Sequence, residues 1–287
     1  MKQRPTAYRP GGSRSIPNRA TWCFFSDTHC NHRLGLRPPE VVLDDGDTDR
    51  ASKESLWLWS VWLDEFIPAV RRAARGGPLY VAGVGDLIDL DVRARHLQLI
   101  SRNAKTALDI AHDALHPLVR YADGFFMCRG TAAHTGESSQ FEEMLAEALG
   151  ARKRGPNFAA WSWLVESGGV LIEMAHHIST SRRASTRQGV AVREAVDTIV
   201  DYATHDDRIP DLVVRGHGHK FEDSGDEHRA RVIALPCWSF RPDEFAHRIG
   251  MGTRLPEIGG LIATCHDGKL EVKKLRYRPR RSAPLRL

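Results

Sequence analysis

Gly216-His217-Gly218-His219 sets two histidines two residues apart, with glycines that leave room beside the imidazoles. Four other places carry comparable chemistry: Asp27-Thr28-His29, Gly85-Asp86-Leu87-Ile88-Asp89, Arg129-Gly130-Thr131-Ala132-Ala133-His134 and His176-His177. Each follows an apolar run of the kind that forms a buried strand. Asp and His delivered at several strand ends are how an α/β fold gathers a metal site from distant sequence. Such carboxylate and imidazole sets suit Mn, Fe, Zn, Co or Ni better than Ca or Mg alone, and no thiol is needed. On an extended strand end, residues i and i+2 point the same way. Asp27 with His29, and His217 with His219, are therefore each expected to hold one ion together. Asp86 lies in a Gly-Asp turn and has two oxygens with which to bridge two cations. Taken singly, each motif has an ordinary reading. D-x-H is common, Gly-Asp is usually only a turn, and His176 suits a hydrogen-bonded core position. Their number and order at expected strand ends favour the metal reading.

The elements that must position these residues follow from periodicity. Strands are expected at Thr21–Ser26, Leu79–Val84, Gly124–Cys128, Leu212–Val214 and Arg231–Leu235. Hairpins are expected at Trp161–Val165 with Val170–Ala175, and at Gly260–Cys265 with Leu270–Leu275. Ser52 to Arg75 reads as a helix, because Trp59, Trp62, Leu63, Phe66, Ile67 and Val70 recur at spacings of three and four. Further helices are expected over Val92–Tyr121, with a break near His116-Pro117, and over Ser138–Leu149 and Gln188–Thr204. Asn31–Arg50 reads as a long loop. Alternating βα units early and β-rich sequence late fit one α/β sandwich better than a simple parallel sheet.

Bulk properties narrow the class. The chain has 287 residues, 41% hydrophobic and 27% charged, which is ordinary for a globular protein. No apolar run approaches the roughly 18 residues of a membrane span. The basic N-terminus lacks the apolar core of a secretory signal, so a cytoplasmic location is expected. Five scattered cysteines without CxxC spacing point to reduced thiols. The net charge of +5 resides in the ends. Residues 1–20 hold five basic side chains and residues 273–287 hold seven, with no acid in either. Of the 41 Lys+Arg, 29 then remain in residues 21–272 against 36 Asp+Glu, about −7. An acidic body suits cation binding. The basic ends read either as polyanion-binding arms or as solubilising tails. We therefore expect a flexible basic arm over 1–19, a single domain over 20–276 and a basic tail over 277–287.

The series D-x-H, G-D-x-x-D, G-N-H, H, G-H-x-H marks the calcineurin-like metallophosphoesterases, and this chain resembles them over roughly residues 21–220. The resemblance implies a four-layer α/β/β/α sandwich of two mixed sheets flanked by helices, with two divalent metal ions at the strand ends. Mn is the favoured metal, with Fe, Zn, Ni or Co as alternatives. By the resemblance, Asp27, His29, Asp86 and His219 would hold one ion. Asp86, Thr131, His176 and His217 would hold the other, with His177 lining the substrate pocket. The third motif departs from the family: Thr131 stands where Asn is expected, and His134 arrives two residues late. A similar G-T-x-x-H variant occurs in phosphoesterases often encoded by phages.

The activity implied is hydrolysis of phosphate esters by a metal-activated hydroxide, with phosphodiesters favoured over phosphomonoesters. His134 is expected to protonate the leaving oxygen, the alternative being that it binds metal. Asp86 bridges, Asp89 orients an imidazole, and Arg129 serves either as a phosphate clamp or as a surface residue. Leu90-Asp91 replaces the Arg-Gly of the family's protein Ser/Thr phosphatases and counts against that substrate class. Trp238, Phe240 and Phe245, with the basic arms, offer stacking and charge for a nucleotide or nucleic acid. The alternative is that these aromatics pack in the core. The altered third motif also leaves open a non-catalytic metal-binding scaffold.

Overall fold

Thr21-Trp22-Cys23-Phe24-Phe25 is apolar at nearly every position, the signature of a strand buried on both faces. In the computed structural model, which describes residues 19–90, 98–136, 139–178, 184–240 and 255–280, this run is the central strand β1, Arg19–Phe25. The basic residues Lys2, Arg4, Arg9, Arg14, Arg281 and Arg286, and Phe245, lie outside the described residues.

After β1 come β2 (Glu40–Val42), β3 (Thr48–Arg50), α1 (Lys53–Ser60), a π-helical turn (Val61–Phe66), α2 (Ile67–Ala73), β4 (Leu79–Val84) and α3 (Ala104–Val119). The chain continues through β5 (Gly124–Cys128), α4 (Ala132–Thr135), α5 (Gln140–Ala148), β6 (Ala159–Ala160), β7 (Ser162–Ser167) and β8 (Val170–Ala175). It ends with α6 (Ala184–Thr204), β9 (Leu212–Arg215), β10 (Glu222–Asp223), β11 (Arg231–Ala234), β12 (Ile258–His266) and β13 (Lys269–Tyr277).

Two mixed sheets result. One runs β13-β12-β1-β4-β5-β6 and the other β10-β11-β9-β8-β7. Alternate residues of the central strands face opposite layers, and this builds the sandwich. Trp22 and Phe24 of β1, with Ala82 and Val84 of β4, meet Val170, Ile172, Met174, Leu212 and Val214 of the other sheet in an inter-sheet core. Cys23 and Phe25 point the other way, into a core shared with Trp62, Phe66, Leu115 and Leu118 of the helical layer. Val213 and Val232 face α6 through Val190, Ala191 and Ala195. The layers are therefore helix, sheet, sheet, helix, as the resemblance implied. Each large apolar side chain sealed in these interfaces contributes about 2–3 kcal/mol relative to exposure.

Several expectations are corrected. Of the helix expected over Val92–Tyr121, residues 92–97 lie outside the described residues; α3 begins at Ala104, where the Asn103 side chain accepts from the amides of Lys105 and Thr106, and it continues through Pro117 without the expected break. The stretch 31–50 is not all loop, because β2 and β3 form a hairpin around Asp44-Asp45-Gly46. Trp238 is fully buried against Trp62 and Phe66, so it is a core residue and no stacking platform. Phe240 packs edge-on against Trp57. All five cysteines are buried and unpaired.

Candidate metal centre

β1, β4 and β5 are parallel neighbours, so their C-terminal ends lie side by side. β8 and β9 are likewise parallel in the opposing sheet. The loop after β1 carries Asp27 and His29, and that after β4 carries Asp86 and Asp89. The loop after β5 carries Thr131 and His134. His176 follows β8, and His217 and His219 follow β9. Backbone bonds lace these loops together: the amides of Asp27, His29 and Cys30 donate to the carbonyls of Gly85, Asp86 and Leu87, and the amide of Leu90 donates to that of His134. Two glycines allow the close approach. A Cβ at Gly130 would overlap the Asp86 amide, and one at Gly216 would lie 2.6 Å from the Val84 carbonyl and 2.7 Å from His176 Nδ1.

Among the described residues three groups are compact enough for one ion: Asp27/His29/His219, Asp86/His176/His217, and His29/Asp89/His134, which shares His29 with the first. In the first, Asp27 Oδ1 lies 3.0 Å from His219 Nε2 and 3.8 Å from His29 Nε2, and those two nitrogens are 3.3 Å apart. In the second, Asp86 Oδ2 lies 3.1 Å from His176 Nε2, with His217 completing the group. His217 and His219 fall in different groups, the division the resemblance implies and not the shared geometry that their spacing alone suggests. The extended-strand argument for Asp27 and His29 is corrected too. Asp27, His29, Asp86, His217 and His219 all have left-handed backbone, with φ of 53°, 43°, 52°, 65° and 55°. Such conformations cost on the order of 1 kcal/mol each and cluster where function over-determines the backbone.

Donor chemistry tests whether cations fit. His176 Nδ1 donates to the Val84 carbonyl at 2.7 Å, which leaves the lone pair of Nε2 facing Asp86. His29 Nδ1 donates to Asp89 Oδ1 at 2.8 Å, which leaves its Nε2 lone pair facing Asp27 and His219. Acceptors therefore confront acceptors. Asp27 Oδ1 and His176 Nε2 are buried and satisfied by no protein hydrogen bond. Either protons or cations must sit between such groups, and the donor set fits a divalent transition metal.

The electrostatics agree. Burial would raise the Asp27 carboxyl, but His219 and His176 hold it well below the usual carboxylate range. Asp86 is opposed by burial in the same way and pulled well down by His176, His134 and His29. Burial works to lower His176, yet Asp86 and Asp27 push it up to about 10. His217 is pushed down by burial and by the charge of His176.

Around the groups, Asp89 is fully buried, and its Oδ1 lies 2.8 Å from Nδ1 of both His29 and His134. His134 Nε2 then faces the second group, 3.9 Å from Asp86 Oδ2. Thr131 places its hydroxyl 3.1 Å from both Asp86 oxygens, and its amide donates to Oδ1 at 2.6 Å. His177 is exposed at the mouth, with its ring 5.6 Å from that of His217. Arg129 has a different occupation from the clamp considered above. Its guanidinium bonds Glu143 and the Ala159 carbonyl, buttressing β6.

Two residues escaped the sequence reading. Asn31 donates to the carbonyls of Asp89 and Ser101, fixing the Asp89 loop. Glu142 is fully buried and accepts from the amides of Gly130 (2.6 Å) and Leu87 (3.3 Å), joining the loops of Thr131 and Asp86. Burial, then the charge of Asp86, pushes Glu142 up to about 7. Its signal was a carboxylate on the apolar face of α5, spaced three and four residues from Leu145 and Ala146.

No family model and no curated protein matches this chain. Solved structures do. A Thermotoga maritima protein shares 14% identity over 90% of this chain and 99% of its own, with a TM-score of 0.38. A hypothetical protein from Pyrococcus horikoshii shares 9% over 90% and 87%, with a TM-score of 0.41. A metallophosphoesterase from Sphaerobacter thermophilus shares 11% over 90% and 89%, with a TM-score of 0.35.

Proposed function

We propose that the protein is a metal-dependent phosphoesterase of the calcineurin-like type, acting on phosphodiesters. The observation that carries this reading is the pair of neighbouring groups, Asp27/His29/His219 and Asp86/His176/His217. In each, lone pairs converge on a buried point that the protein's own hydrogen bonds leave unsatisfied. In this reading each group would hold one divalent ion. Bound ions would supply Lewis acidity toward phosphoryl oxygens and make water nucleophilic near neutral pH.

The chain's own residues do the rest. Asp89 accepts from Nδ1 of His29 and so presents the opposite nitrogen as a ligand. His134 Nδ1 lies 2.8 Å from the same oxygen as an ion-pair contact without hydrogen-bond geometry, and its Nε2, 3.9 Å from Asp86 Oδ2, is the atom placed to carry a proton toward the leaving oxygen. Thr131 steadies the Asp86 carboxylate through its amide and hydroxyl, and His177 meets the substrate at the mouth.

The test is a paired assay on bis- and mono-p-nitrophenyl phosphate with added Mn, Ni or Co. Faster turnover of the bis ester, abolished by chelation, is expected. Preference for the mono ester would make the protein a phosphomonoesterase. Metal uptake with hydrolysis of neither ester would make it a non-catalytic scaffold.

A further inference from the structure

β13 is the edge strand of the first sheet, and it ends on the same side as the ligand groups. The register shows this. Phe24 near the C-terminal end of β1 pairs with Leu261, and Ile258 at the start of β12 pairs with Tyr277 at the end of β13. Cys237 bridges to Ile258, and the next residue, Trp238, donates its amide to the Asp27 carbonyl at 3.0 Å. The end of β13 is thus tied through one short loop to a candidate ligand.

A second link runs through Phe221, two residues beyond His219. Its amide donates to Glu257 Oε2 at 3.1 Å, and the Arg276 guanidinium stands 4.9 Å over its ring. This cation–π contact holds an exposed cation beside the site. Phe221 stands two residues, at most about 7 Å of backbone, from His219, so Arg276 is tied to the candidate ligand groups through a single intervening side chain.

The neighbouring cations differ in availability. Lys274 and Arg231 share the Asp223 carboxylate, at 2.5 and 2.9 Å, so each has an acidic partner. Arg276, Arg278 and Arg280 have no carboxylate partner among the described residues, and Arg278 and Arg280 are exposed. The body of the chain is acidic, which makes a row of three unpaired arginines at this edge the more distinct. The other basic end is placed differently. β1 runs from Arg19 toward the site, so the N-terminal segment joins the fold at the opposite edge, about 20 Å away at 3.3 Å per residue.

We propose that Arg276, Arg278 and Arg280 form a rim that binds the phosphate backbone of a nucleic-acid strand and holds it beside the candidate metal centre. This rests on the phosphodiesterase reading and names its substrate class. Of the two basic ends, the strand-end arginines are the ones the described fold places on the site's side, and the rim is assigned to them. Arginine suits the task through bidentate contact with phosphate.

The test is fluorescence anisotropy of a labelled single-stranded DNA 12-mer with the full chain. It compares Arg276→Gln/Arg278→Gln/Arg280→Gln with the charge-matched Arg4→Gln/Arg9→Gln/Arg14→Gln. Three phosphate contacts at a salt slope of about 0.7 each correspond to about 50-fold in affinity at 0.15 M salt. The first triple variant should lose about that much, with its salt slope lower by about 2. The second should stay within about threefold of wild type. Equal losses in both variants, or no DNA binding by wild type, overturn the proposal. So does binding to vesicles containing phosphatidylserine with none to DNA, which would make the rim a membrane contact. Hydrolysis of bis-p-nitrophenyl phosphate by wild type is scored separately. DNA binding through this rim without ester hydrolysis sinks the catalytic reading and supports the rim.

Discussion

Replacing Asp89 by Asn probes two assignments at once. One Asp89 oxygen stands 2.8 Å from Nδ1 of His29 and of His134. Burial opposes the charge on Asp89, yet His29 and His134 hold its carboxyl well below the usual range, so in the metal-free protein it is ionised at every working pH. Asparagine keeps one acceptor oxygen but removes the charge, which roughly halves the strength of the hydrogen bond to His29 and abolishes the ion pair with His134. For a carboxylate that orients a ligating histidine, the expected loss is about 10–100-fold in metal affinity, or about 1.4–2.7 kcal/mol. For His134 the loss falls on turnover at saturating metal. A positioned general acid contributes about 10²–10⁴-fold, and a loosened one should forfeit about 10–100-fold of it. The second loss must depend on the leaving group. A p-nitrophenolate departs with little help, whereas an alkoxide needs a proton. The assay is calorimetric titration with Mn, followed by kcat for a p-nitrophenyl and an alkyl phosphodiester at saturating metal. Unchanged Mn affinity would refute the role given to Asp89 toward His29. Equal losses on both esters would refute the role given to His134.

Other consequences are simpler to measure. Adding Mn at about 100 times its Kd should stabilise the fold by about 2.7 kcal/mol. That raises Tm by about 5–10 °C, and chelation should reverse it. The metal-free protein should lose stability as pH rises from the ordinary His176 value of 6.5 through its folded value of about 10, because a raised pKa stabilises only while the proton stays bound. Asp27, Asp86 and Asp89 act in the opposite sense, stabilising above about pH 4 and failing as pH falls through their depressed values. A Tm of the metal-free protein that does not decline between pH 6.5 and 10 would contradict this account. Gly216→Ala should cost about 1–3 kcal/mol in thermal unfolding, since its methyl would meet the Val84 carbonyl and the His176 ring. A neutral substitution there would mean that the two sheets separate more readily than their contacts imply.

The sequence displayed the fold where the pattern was local. The strands at Leu79–Val84 and Gly124–Cys128 fall where their apolar runs begin and end. The long helix was overdrawn because periodicity does not show where the Asn103 cap starts it. The π turn before α2 left only an indirect trace in Pro68, whose missing amide perturbs the ladder. Among the candidate ligands, residue types were legible but geometry was not. Asp27 and His29 converge through left-handed turns, a backbone state their sequence does not announce. The partition of His217 and His219 between two groups was implied by the resemblance alone, since their spacing does not show which loop faces each. Glu142 stayed hidden because a helix pattern records burial and not the two amides that reward it.

Each ligand group draws on both sheets. Asp27 and His29 of the first sheet are completed by His219 of the second, while His176 and His217 of the second are completed by Asp86 of the first. A loaded centre would therefore act as a pair of rivets through the sandwich. Neither sheet could then peel away or slide on the other without breaking both. Hydrogen exchange at β8 and β9 would slow when metal is added, although those strands lie in a different layer from β1 and β4. The seam between the layers, ordinarily a plane of apolar contact, would become the best-fastened boundary in the molecule at the one edge where substrate must arrive.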